Sequence, residues 1–171
     1  MEDYWEDDSA GAPVSRQANP PKSAGKIFII HGRDDATKET VKGFIEKLEL
    51  EPVILHEQVN EGRTVIEKFE EHAKEVGFAI ALLTPDDVGG LNEEKQDFQP
   101  RTRQNVIFEF GYLMGRLERN RVCALRKENV EIPSDYSGVV YIPIDGSEAW
   151  KINLVRELKT AGFSVDANLA L

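Results

Sequence analysis

Phe78-Ala79-Ile80-Ala81-Leu82-Leu83 is a run of six apolar residues with no polar interruption. A strand with one face in water alternates apolar and polar residues, so an unbroken run of this length predicts a strand covered on both faces. Such strands belong to parallel sheets flanked by helices, and this run is the most apolar of its kind here, so it is expected at the sheet centre. Outward from it, the same signature recurs at Ile27–Ile30 and, more briefly, at Pro52–Leu55, Arg121–Arg126 and Val139–Ile144. Helical periodicity fills the gaps. Val41, Phe44, Ile45 and Leu48 recur at i, i+3, i+4, i+7, and Asp34 or Asp35 precedes them as a cap. Thr64-Val65-Ile66-Glu67 has capping-box form and opens a helix whose Ile66, Phe69, Ala73 and Val76 share a face. Trp150, Leu154, Val155 and Leu158 mark a last helix, with Phe163 and Val165 packing after it.

Five strands at short spacing with helices between them predict an α/β fold, a doubly wound five-stranded parallel sheet with helices on both faces. Ligands in such folds sit at the carboxyl ends of the strands, near the switch in strand order. Three segments reach that edge: His31–Asp35, His56–Arg63, and a polar loop from Thr84 to about Arg103.

The helix after the third segment spans Arg101 to Leu117. Its stripe of Val106, Phe110, Leu113, Met114 and Leu117 holds an acid at its margin, Glu109, about 60° from Val106 at 100° per residue. Desolvating a carboxylate is costly unless something pairs with it or uses it. By pattern alone Glu109 reads as a rim glutamate that reaches water or pairs with Arg103 or Arg116. Its place beside the ligand edge argues for function. Gly111 and Gly115 inside this helix predict close packing on the sheet.

The chain has 171 residues and a net charge of −10, which argues against a nucleic-acid footprint. No apolar run approaches a membrane span. The single Cys123 excludes an internal disulfide and fits a reducing, cytoplasmic setting. Residues 1–25 read as a flexible linker or arm, and 26–171 as the folded domain. In the arm, five acids stand against Arg16 and Lys22, a net of −3. His31, His56 and His72 have no partners at metal-ligand spacing. Neither a dinucleotide fingerprint nor a phosphate loop occurs. Arg33, Arg63, Arg101 and Arg103 near one edge suit a pyrophosphate.

Three motifs in order, Lys26-Ile-Phe-Ile-Ile-His-Gly-Arg-Asp34, Ala81-Leu-Leu-Thr-Pro-Asp-Asp87 and Arg103-Gln-Asn-Val-Ile-Phe-Glu-Phe-Gly-Tyr-Leu-Met-Gly-Arg-Leu117, resemble the bacterial TIR-like domains of antiphage effectors, including those fused to STING. The resemblance covers about residues 26–166. It implies a flavodoxin-like TIR fold and hydrolysis of NAD+ to nicotinamide and ADP-ribose, with NAD+ as substrate and no separate cofactor. It implies self-association into oligomers or filaments, driven by a linked or partner sensor module, with no nucleic acid and no membrane. Its catalytic glutamate falls on Glu109. His31, Gly32, Arg33, Asp34, Arg63, Thr84, Asp86, Arg103 and Asn105 would line the substrate site. Asn105 stands where many relatives carry tryptophan. A non-catalytic self-association module and a nucleoside deoxyribosyltransferase-like enzyme are the two other readings.

Overall fold

The computed structural model describes residues 25–55, 64–92, 97–127, 129–132 and 138–170. The sheet is built from β1 (Lys26–Ile30), β2 (Glu51–Val53), β3 (Phe78–Leu83), β6 (Val122–Arg126) and β7 (Val140–Pro143). All pair in parallel, in the order β2-β1-β3-β6-β7. The Phe78–Leu83 run is the central strand, and every residue in it is buried. This is the flavodoxin-like strand order, whose switch lies between β1 and β3.

Period-two alternation divides β3 between two cores. Phe78, Ile80 and Leu82 join Ile27, Ile29, Cys123 and Leu125 on one face, under α1 (Asp35–Lys47) and α4 (Ala149–Thr160). Ala79, Ala81 and Leu83 join Phe28, Ile30 and Ala124 on the other, under α2 (Val65–Glu75) and α3 (Gln104–Leu117). Phe44 and Trp150 meet edge-to-face at 5.0 Å and tie α1 to α4. Phe69 lies edge-on to Phe28 at 5.6 Å and to Tyr112 at 5.0 Å, joining β1, α2 and α3. Each such pair contributes about 0.5–1.5 kcal/mol beyond its burial.

The expected caps form. Asp34 Oδ1 accepts from Thr37 N at 3.0 Å at the start of α1. Thr64 and Glu67 exchange backbone and side-chain hydrogen bonds at the start of α2. The last helix buries Trp150, Leu154, Val155 and Leu158, and Val165 packs into the same core with Phe163 half-buried against it.

Five expectations need correction. The polar segment after Thr84 is not merely a loop. It holds an antiparallel hairpin of β4 (Asp87–Gly89) and β5 (Gln99–Arg101). The Glu131 N–H donates to the Pro100 carbonyl at 3.1 Å, and an Arg101–Glu131 ion pair fastens β5 to the segment beyond β6. The helix expected from Arg101 starts at Gln104, because Arg101 is spent on that hairpin. Ile66 is 51% exposed: it lies in the first turn of α2, ahead of Phe69, where the helix enters the core. Gly115 is exposed, and a Cβ there would meet nothing within 4 Å. Strand ends also shift: β2 stops at Val53, while Ile54 and Leu55 stay buried beyond it.

Candidate functional site

Two clusters form at or near the carboxyl edge. The first sits at the switch between β1 and β3. His31 follows β1 directly, and its Nδ1–H donates to the Gly32 carbonyl at 3.0 Å. Gly32 faces the Asp86 carboxylate so closely that a Cβ would fall 1.8 Å from Asp86 Oδ2. A side chain at 32 would force the Asp86 carboxylate out of its bond with Thr84, so glycine preserves this contact. Thr84 is buried at the end of β3 and donates its hydroxyl to Asp86 Oδ2 at 2.8 Å. Each bond braces its own loop, and the close approach of Gly32 to Asp86 brings the β1 and β3 loops together at the switch.

Asp34 closes the same cluster. Its Oδ2 accepts from the Thr37 hydroxyl at 2.8 Å and from Lys127 Nζ at 2.6 Å. Burial alone would push this carboxyl up. The Lys127 ammonium and the backbone and hydroxyl donors of Thr37 outweigh burial and hold it at about 2. Asp34 is therefore ionised and fully engaged, a cap and an anchor. Arg33 beside it is exposed and forms no ion pair among the described residues. Arg63 lies outside the described residues.

The second cluster belongs to α3. Val106, Phe110 and Leu113 point into the core, which rotates Glu109 to the margin of the buried stripe, half-buried. Phe108 on its other side is 59% exposed. Desolvation pushes the Glu109 carboxyl up to about 7, with the Arg103 charge pulling partly back. No donor among the described residues hydrogen-bonds it. Arg103 is half-buried at the head of the helix and supplies no side-chain cap. Asn105 is exposed. The structure thus groups His31, Gly32, Asp34, Thr84 and Asp86, and separately Glu109 with Arg103. No hydrogen bond or ion pair joins the groups among the described residues.

A cleft of about 660 Å³ opens beside the hairpin, walled by Asp86, Asp87, Val88, Phe98, Thr102 and Gln104 among others. Its size suits a nucleotide-sized ligand. Glu109 does not line it. The hairpin forms much of its wall.

Over residues 26–146 the chain matches the family described as CAP12/Pycsar effector protein, TIR domain. This protein belongs to that TIR-domain family. The strand order and the Glu109 helix are those expected from the three motifs, so the resemblance holds over most of the chain. The TIR domain is 45% identical over 159 residues to the uncharacterized protein YuaY of Escherichia coli, covering 93% of this chain and 50% of YuaY. It is 34% identical over 126 residues to protein tirC of Dictyostelium discoideum, covering 68% of this chain and 63% of tirC. It is 42% identical over 79 residues to the Pycsar effector protein PaPycTIR of Pseudomonas aeruginosa, covering 45% of this chain and 25% of that effector. The chain therefore spans less than two thirds of each of these relatives.

Sequence reasoning missed two residues of the TIR domain. Lys127 is the first residue after β6, a position on the ligand edge that the strand pattern itself marks. Thr102 is 6% exposed between two arginines, with its hydroxyl buried and unpartnered, and no signal singled it out. Among the described residues no cluster of metal-ligating side chains occurs, and no helix is long and apolar enough to cross a membrane.

Proposed function

We infer that this TIR domain is an NAD+ nucleosidase acting in antiphage defence, releasing nicotinamide and ADP-ribose. The observation that carries the reading is Glu109: a half-buried carboxylate with no hydrogen-bond donor among the described residues, pushed up to about 7, in the second turn of α3. Nicotinamide leaves NAD+ as a neutral pyridine, so bond cleavage needs no general acid. The charge to be stabilised is the oxocarbenium-like ribosyl cation. A partly desolvated carboxylate does this more strongly than one in water. In the reaction the N-glycosidic bond breaks, nicotinamide takes the bonding pair, and water adds to the anomeric carbon and releases a proton. Arg103 and Arg33 supply positive charge for the pyrophosphate. His31, Gly32, Thr84 and Asp86 shape the wall.

Assembly of several copies, driven by a partner or linked sensor module, switches the enzyme on. Its similarity to Pycsar effector proteins supports a role as an effector. The test is nicotinamide release from NAD+ by the chain clustered on a multivalent scaffold, beside the Glu109→Gln variant. Release by wild type and none by the folded variant supports the reading. Full activity in the variant overturns it. No release by clustered wild type leaves a non-catalytic self-association module.

A further inference from the structure

We propose that Lys127 is a phosphate-binding residue of the ligand edge, a cation pre-positioned by Asp34 to take the diphosphate of a nucleotide. The inference rests on the dinucleotide reading above. It starts from topology. β3 lies between β1 and β6. Asp34 belongs to the loop after β1 and Lys127 to the residue after β6. The Lys127 N–H donates to the Leu83 carbonyl at 3.0 Å, so its backbone is tied to the end of β3. From there its side chain reaches to Asp34 Oδ2 at 2.6 Å. Neighbouring strands lie roughly 5 Å apart. The ion pair therefore runs across the carboxyl end of the central strand, beside the switch where ligands of this architecture bind.

The two ends of the pair differ in what remains available. Asp34 accepts from the Thr37 N–H, the Thr37 hydroxyl and Lys127. An ammonium has three donors. One of them goes to Asp34. The Lys127 side chain is 40% exposed and makes no other side-chain bond among the described residues, so two donors remain for a ligand. An unanchored lysine would lose several rotamers on binding. This one is already held in place.

Charge gives the ligand class. The chain carries −10 overall, and Asp34, Asp86 and Asp87 line this edge. An anionic ligand is repelled from such an edge unless a cation is placed locally. Arg101 does not serve, because it is paired with Glu131. Lys127 is held against Asp34, and exposed Arg33, next to Asp34 in sequence, and half-buried Arg103 add to it.

The experiment compares Lys127→Met and Lys127→Arg with wild type in the clustered chain, using NAD+ and phosphate-free nicotinamide riboside. Lys127→Met is expected to raise KM for NAD+ about tenfold while kcat changes less than twofold. Turnover of nicotinamide riboside should stay within twofold of wild type. Lys127→Arg should recover most of the affinity for NAD+. Equal losses on both substrates would mark a merely structural lysine and overturn the proposal, as would an unchanged KM for NAD+. Binding of ADP-ribose, followed by calorimetry, separates this inference from the nucleosidase reading. If wild type cleaves neither substrate yet binds ADP-ribose about tenfold better than Lys127→Met, the lysine's role stands and the enzyme reading falls. If wild type cleaves NAD+ and Lys127→Met matches it throughout, the lysine's role falls and the enzyme reading stands. Absence of both cleavage and binding overturns both.

Discussion

Asp34 and Glu109 are carboxylates of the same domain, and their surroundings drive them in opposite directions. Both are partly removed from water. Asp34, at the β1–α1 junction, has two donors from Thr37 and one from Lys127, and sits at about 2. Glu109, on α3, has no donor among the described residues and only the more remote Arg103 charge, and sits at about 7. Two things separate them: Glu109 is the more strongly desolvated, and Asp34 has hydrogen-bond donors that Glu109 lacks among the described residues. A carboxylate saturated by the protein is part of the scaffold. A carboxylate that the fold desolvates and leaves unpaired is held at a cost, and its charge is free to act on a ligand.

That contrast is open to experiment at four levels. The largest effect should come from Glu109→Gln in the NAD+ assay: a loss of nicotinamide release of roughly 100-fold or more, on the order of 3 kcal/mol or above. In the same assay, wild-type kcat/KM should rise with pH through about 7 and level off above it, because the ionised carboxylate is the active form. A profile flat from pH 5 to pH 9 would break the link between the raised acid and activity.

Next is Asp34→Ala, which removes a cap and an ion pair together. Urea denaturation at pH 7 should show a loss of about 2 kcal/mol. The folded carboxyl, at about 2, lies below its ordinary 3.8, so its stabilisation is complete only above pH 3.8 and fades as pH falls through 2. The gap between wild type and variant should narrow at pH 2.

Third, the sign reverses at Glu109. Its folded carboxyl is raised from 4.5 to about 7, so the folded state binds the proton more tightly than the unfolded chain. Stability then declines as pH rises from 4.5 through 7. Glu109→Gln should gain about 1 kcal/mol over wild type at pH 8, after discounting for partial exposure, and gain nothing from this source at pH 4. A variant less stable than wild type at pH 8 would mean that the carboxylate is structurally paired, as Asp34 is. Smallest is Gly115→Ala on the same helix, where the added methyl meets open space. It should stabilise by about 0.5–1 kcal/mol in the same denaturation experiment without changing the NAD+ assay.

Much of the architecture was legible because it depends on local pattern. The six-residue apolar run at Phe78–Leu83 announced a strand covered on both faces, and it is the central one. The capping-box spacing of Thr64 and Glu67 formed as read. The motif around Glu109 pointed to one acid on a helix margin, and there it lies. The hairpin at 87–101 was illegible for a physical reason. Its strands are three residues each, carry Gly and Pro, and are fastened by an arginine to Glu131, thirty positions away. Ile66 misled because helical phase does not say where along the helix the core begins.

By itself, the order of apolar runs determined the parallel sheet, the faces of the helices, and the ligand edge, since each follows from side-chain period over a few residues. Tertiary structure alone decided what each polar group on that edge does. Asp34 became an anchor because the chain end of β6 delivers Lys127 to it across β3. Gly32 became the residue that leaves room for Asp86 because Asp86 arrives from another loop. Glu109 acquired its raised proton affinity because α3 packs in a phase that withdraws it from water and brings it no donor among the described residues. Hydrogen bonding and desolvation are sums over neighbours that the fold assembles, and those neighbours lie far apart in sequence.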